Sequence, residues 1–229
     1  QIQLSCLTVA VRFLPKLNST RRTILLSTWG LFTGLALLLL TAGIFSTLVG
    51  IRAELKNLPT LVSGGITTAY YAGFLLGSWY TLRALKQVGH IRVYAALASL
   101  LSASVLITGA YDSPIVWIVM RSSTGFCFAG LYVVAESWLN GLASNTFRGR
   151  LLAMYNVVTI GAYGAGQLLV FNFDARTLTG FAFAAVVSSL AVIPVAMSEQ
   201  AATPQVENNT HITMRELAKI VPTGAGTIL

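Results

Sequence analysis

The feature that most constrains this chain is its succession of apolar runs, each about the ~20 residues a helix needs to cross a bilayer. They lie at 24–51, 61–82, 93–111, 114–138, 151–173 and 178–198, and a seventh begins at 220. In hydrocarbon only helices and closed barrels pair every backbone N–H and C=O internally. These runs lack the alternation of barrel strands, so all six read as helices. Charge agrees: 10% of the residues are charged and 55% hydrophobic, against roughly 25% charged in a soluble domain. The expected fold is an all-α membrane protein with six transmembrane helices over 24–198. With Gln1 first and the seventh run stopping at Leu229, both ends read as truncated.

Lys and Arg set the expected orientation. Eleven of them flank the runs on one side: Arg12, Lys16, Arg21 and Arg22; Arg83, Lys86 and Arg92; Arg148 and Arg150; Arg215 and Lys219. Only Arg52, Lys56 and Arg176 fall on the other side, so the first side is expected to be cytoplasmic. Residues 1–23 and 199–219 are then cytoplasmic, and the expected location is the plasma (inner) membrane, multi-pass. The same placement of bases within short flanks argues against a nucleic-acid partner despite the net charge of +8. A signal peptide is disfavoured, because the first twenty residues lack a basic start and Arg21 and Arg22 anchor a full-length span.

The run 114–138 carries two charges, Arg121 and Glu136. At ~100° per residue, Arg121, Gly125, Tyr132 and Glu136 share one face about 60° wide, which should look away from lipid. The two charges are roughly 22 Å apart along the helix, so each needs a partner elsewhere. In 151–173, Asn156, Thr159, Tyr163 and Gln167 fall within about 80° on one side, with Gly161 and Ala165 opposite. One side is expected to be polar and the other to pack closely. In 61–82, Gly65, Ala69, Gly73 and Gly77 form a small-residue stripe for helix contact, as do Gly30 and Gly34 in the first run. Tyr70 lies mid-run, and Trp79 and Tyr80 read as interfacial residues.

The connection 81–92, TLRALKQVGHIR, reads as a short basic loop containing Gly89. Together with Arg121-x-x-x-Gly125 in the fourth run and the basic stretch after it, this order of motifs resembles the N-terminal half of a major facilitator superfamily (MFS) transporter. The stretch ESWLNGLASNTFRGRLLAMY, 136–155, followed by Gly166-Gln167-Leu168-Leu169-Val170, is similar to the YcaD-type branch of that superfamily. The resemblance implies two inverted three-helix repeats, an inter-domain linker at 199–219, a truncated seventh helix at 220–229, and a missing C-terminal six-helix half as partner. It also implies Arg121 as a coupling residue, with a proton or other ion as the coupled species and no other cofactor or metal. Finally it implies a cytoplasmic gate. Where the superfamily loop has Gly, Asp, Arg and Arg, this chain has Leu82, Lys86, Gln87 and His90; Gly89 is kept. Glu136 matches the family's gate carboxylate. As the only acid in the six runs and their cytoplasmic turns, it is expected to pair with Arg83, Lys86 or Arg150, near Arg148.

The function this reading supports is alternating-access transport of a small solute. Tyr70, Tyr132, Asn156, Thr159, Tyr163 and Gln167 are the candidate cavity residues. An enzyme is disfavoured because His90 and His211 fall in expected cytoplasmic loops and no Gly-x-Ser-x-Gly occurs. No Gly-rich phosphate loop occurs either, which argues against ATP as direct energy source. A six-helix membrane scaffold or regulatory protein without transport activity is the alternative, since packing stripes alone would suit it.

Overall fold

The computed structural model of the protein describes residues 19–142 and 148–198. Its helices are α1 (Ser19–Leu55), α2 (Thr60–Val88), α3 (His90–Ala110), α4 (Pro114–Leu142), α5 (Arg148–Leu169), α6 (Thr179–Leu190) and α7 (Val192–Met197). A 3₁₀ turn, Val170–Asn172, continues α5, and no strand occurs among the described residues. The expected linker at 199–219 and the start of a seventh helix lie outside the described residues.

Each helix ends where its sequence dictates. α1 stops in a Schellman turn: Asn57 takes a left-handed φ of 49°, and Leu58 N–H donates to the Ala53 carbonyl at 3.2 Å. Three residues, 111–113, join α3 to α4, whose first residue is Pro114. α6 and α7 form one span broken at Ala191, because Pro194 has no N–H for the Leu190 carbonyl and its ring crowds that oxygen.

Among the described residues four segments, Trp29–Leu55, His90–Ala110, Pro114–Gly141 and Thr179–Met197, are long and apolar enough to cross a membrane. Two of the six expected spans, α2 and α5, are long helices of 29 and 22 residues but less apolar. α2 carries Ser63, Thr67, Thr68, Ser78, Arg83 and Lys86, while α5 holds Asn156, Thr159, Gln167 and several glycines.

The expected loop at 81–92 is not a loop. Leu82 to Gln87 are good helix formers, so α2 runs through Val88 and only Gly89 separates it from α3. Gly89 has φ 88°, and a Cβ there would meet nothing within 4 Å, so backbone conformation rather than space calls for glycine. His90, expected in a cytoplasmic loop, is instead the buried first residue of α3. Its Nε2 is 3.1 Å from Ser137 Oγ and its ring lies beside Trp138.

The most extensive packing is of α2 on α4, followed by α1 on α5; α3 packs on α4 and α6, and α1 also packs on α6. Glycines set these contacts. A Cβ at Gly73 would strike the Ser122 backbone and one at Gly77 the Phe126 carbonyl, as the small-residue stripe predicts, whereas Gly65 faces open space. Gly30 and Gly34 do pack closely, against Pro194 and against Val195 and Tyr94. Phe45 of α1 and Phe181 of α6 meet edge-on at 6.2 Å, both fully buried.

Candidate functional site

Gly125 lets α4 approach α2 so closely that a Cβ on it would collide with the Tyr70 carbonyl. The long side chains next to this seam turn aside, toward α1 and α5. There they line a cavity of about 430 Å³ between the four helices. Arg121, Tyr70, Tyr132 and Tyr163 all reach it, so three of the six candidate cavity residues and the expected inward-facing arginine meet at one place. Tyr132 and Tyr163 also line an adjoining hollow of about 360 Å³ with Thr159 and Gln167. Asn156 is exposed and lines neither.

Arg121 sits between aromatic faces, its guanidinium carbon 5.1 Å from the Tyr70 ring centroid and 5.2 Å from that of Phe45. Its Nε is buried with no hydrogen-bond partner, and no ion pair reaches it among the described residues. A buried donor left unpaired costs about 1–3 kcal/mol, which cation–π contacts of ~0.5–2 kcal/mol offset only in part. Beside it, Tyr163 and Ser46 share a hydrogen bond of 2.9 Å across α5 and α1.

The polar stripe of α5 divides. Thr159 and Tyr163 lie on the side turned to α1, where Gly166 also packs against Leu40 and Ile44. Asn156 and Gln167 are exposed at its edges. The opposite side, expected to pack closely, does not: a Cβ at Gly161 would meet nothing within 4 Å, and Ala165 is exposed. The helix uses the Tyr163–Gly166 face for contact because Gly43 of α1 matches it, its own Cβ position being filled by the Tyr163 carbonyl.

At the basic end, Glu136 is exposed and accepts a 3.3 Å hydrogen bond from the Tyr155 hydroxyl. The expected ion pair with Arg83 or Lys86 is not formed. Arg83 stacks instead on Trp79 of its own helix, 3.7 Å from the ring centroid. The side chains of Arg148 and Arg150 lie outside what is described.

Arg121 is part-buried, and a second arginine, Arg52, is buried although the sequence places it in the connection after a span ending at 51. α1 continues to Leu55, and Arg52 is 6% exposed. Its guanidinium pairs with Asp112 at 2.8 Å, donates to the Gly109 carbonyl at 2.9 Å and lies over Phe181. Lys56 reaches the other Asp112 oxygen at 2.9 Å. The Lys56 hydrogen bond, with Arg52 behind it, holds the Asp112 carboxyl below the usual carboxylate range. The signal was available: Arg52-Ala53-Glu54-Leu55 favours helix, and the first breakers are Asn57 and Pro59.

Another signal links the two sides of the cavity. Ala69-Tyr70-Tyr71-Ala72-Gly73-Phe74-Leu75-Leu76 in α2 and Ala162-Tyr163-Gly164-Ala165-Gly166-Gln167-Leu168-Leu169 in α5 agree at six of eight positions. In both copies the tyrosine carbonyl faces a glycine of the neighbouring helix, Gly125 for Tyr70 and Gly43 for Tyr163. In both, the copy's own glycine, Gly73 or Gly166, faces the residue three positions earlier on that neighbour, Ser122 or Leu40.

Comparison with known proteins agrees with the resemblance seen in the motifs. The chain is similar to proteins named "Uncharacterized MFS-type transporter YcaD" from Salmonella newport, Salmonella heidelberg and Salmonella typhi, at 32% identity over 148 residues. The match covers 65% of this chain and 39% of each relative, so the chain spans about two fifths of the length of the curated relatives it matches. No family model matches, and no solved structure matches. Four helices able to cross a membrane, together with relatives carrying a transporter name, make this an integral membrane protein.

Proposed function

We propose that the chain forms half of an alternating-access carrier, with its six spans arranged as two inverted three-helix repeats and its solute site in the Arg121 cavity. The observation that carries this is the convergence of Arg121, Tyr70, Tyr132 and Tyr163 on one cavity between α1, α2, α4 and α5. The internal repeat supports the arrangement. Exchanging α1 with α4, α2 with α5 and α3 with α6 turns the main helix packings into one another. The same exchange carries Tyr70, Gly73 and Gly125 onto Tyr163, Gly166 and Gly43. Carriers of this superfamily place their sites between such repeats, near mid-membrane.

The positive-inside count puts the Arg83, Lys86 and Gly89 end in the cytoplasm. There Glu136, held by Tyr155, is the acid of the gate. The second six-helix half is the partner. Arg121 couples the solute to an ion gradient.

Alternating access can be tested without knowing the solute. Thr159→Cys in the full-length protein, treated with a membrane-impermeant maleimide from each side, should label from both. Labelling from one side only, under all conditions, would favour the scaffold.

A further inference from the structure

The cavity has a charge problem that points to its ligand. Among the described residues Arg121 is the only charged side chain lining it, and no carboxylate compensates it. Asp112 is engaged by Arg52 and Lys56, and Glu136 lies fifteen residues along the same helix, roughly 22 Å away. Its Nε is buried and unpartnered, while the side chain as a whole is part-buried and lines the cavity.

Around this cation the walls divide by chemistry. The Tyr70 and Tyr132 hydroxyls carry no hydrogen bond among the described residues, so two further donors are free. Phe45, Phe74 and Phe128 supply apolar faces, and Phe74 lies 6.3 Å from the Tyr132 ring. A cation would meet repulsion from Arg121 and find no carboxylate. A neutral solute would leave the arginine uncompensated. A dianion such as a phosphate ester would bring two charges to one. A carboxylate accepts two parallel N–H bonds from a guanidinium, and an aromatic or short aliphatic body fits beside the phenylalanines. A volume of about 430 Å³ lies within the usual range for small-molecule sites.

We propose that this cavity takes small monoanionic organic acids, the carboxylate on Arg121 and the apolar body against Phe45, Phe74 and Phe128. The proposal rests on the reading of the cavity as the solute site and adds the substrate class.

The test uses the full-length protein in lipid nanodiscs, with thermal unfolding followed against benzoate, salicylate and hexanoate. Benzamide and benzylamine serve as the neutral and cationic counterparts. The acids should raise the unfolding temperature in a saturable manner while benzamide and benzylamine do not. Arg121→Gln should weaken benzoate binding at least about tenfold, the loss of a charge-assisted pair. Should that variant fail to fold, the comparison of benzoate with benzamide on the wild-type protein still decides the question. Stabilisation by benzylamine or benzamide equal to that by benzoate, or none by any of the three acids, overturns the proposal. The two readings fail separately. A protein that binds benzoate but labels from one side only at Thr159→Cys keeps this site and loses the carrier. One that labels from both sides and ignores every acid keeps the carrier and loses this ligand class.

Discussion

Among the described residues two arginines, Arg52 and Arg121, enter the apolar interior, and their surroundings differ in one respect. Arg52 has an acid: Asp112 lies at 2.8 Å, with the Gly109 carbonyl at 2.9 Å and the Phe181 ring beside it, although its Nε, like that of Arg121, is buried without a hydrogen-bond partner. Arg121 has rings alone, Tyr70 and Phe45, and a cavity in front of it. A charge satisfied within the fold ties helices together, here the end of α1 to the turn between α3 and α4. A charge left unsatisfied by the fold destabilises it, and is explained if something outside the chain supplies the counter-charge. Arg52 is therefore read as structural and Arg121 as functional.

The largest effect expected concerns the frame around Arg121. Gly125→Val drives a side chain into the Tyr70 carbonyl and must separate α2 from α4. The expected loss is at least about 3 kcal/mol, at the severe end for overpacking. The repeat predicts that Gly43→Val, against Tyr163, costs about as much. Thermal unfolding of both variants checks this, and an unequal pair would break the proposed symmetry.

Next comes Arg52→Met, which leaves Asp112 to Lys56 alone. Breaking a buried pair costs about 3–5 kcal/mol. Because the Asp112 side chain is 50% exposed, solvent screening reduces the expected loss to about 1–2 kcal/mol. Equilibrium unfolding measures it, and no change would dismiss the structural role of Arg52.

A smaller effect follows from Asp112 itself. Its carboxyl titrates lower in the folded protein than in the unfolded chain, so its contribution is present above the unfolded value near pH ~4 and lost as pH falls through the folded value. Wild type should exceed Asp112→Asn by about 0–1 kcal/mol at neutral pH, and the two should converge in acid below pH ~4. A gap that persists at low pH would contradict the pairing.

The smallest effect belongs to Glu136→Gln. The residue is exposed, with one hydrogen bond of 3.3 Å, so stability should change by less than about 0.5 kcal/mol. If Glu136 belongs to the gate, maleimide labelling at Thr159→Cys from the cytoplasmic side should rise all the same. Unchanged labelling removes it from the gate.

The sequence showed the parts of this architecture that depend on period and composition. Apolar runs located the helices, and the angular placement of Arg121 and Tyr132 put both on the inward face, where the cavity is. It failed where long-range pairing decides. The packing face of α5 could not be chosen from its own residues, because Gly43 on α1 selects the Tyr163–Gly166 side over Gly161. Charge and polarity set Arg52 and His90 in the expected connections, since they close the apolar runs. α1 continues through Arg52 and α3 begins at His90, and both side chains are buried with tertiary partners, Asp112 and Ser137. The repeated Ala-Tyr-x-Ala-Gly-x-Leu-Leu was legible throughout and would have paired Tyr70 with Tyr163 before any coordinates.

The contrast between the two arginines can be tested in one experiment, equilibrium unfolding of Arg121→Met and Arg52→Met side by side in the same lipid. An arginine at a helix centre carries an insertion cost of ~2.5–3.5 kcal/mol, and Arg121, in the third turn of α4, carries part of it. Without ligand, Arg121→Met should thus match or exceed the wild type in stability, by up to about 3 kcal/mol, while Arg52→Met falls below it. If Arg121→Met instead loses as much stability as Arg52→Met, Arg121 is a second structural staple and the functional reading of its cavity is wrong.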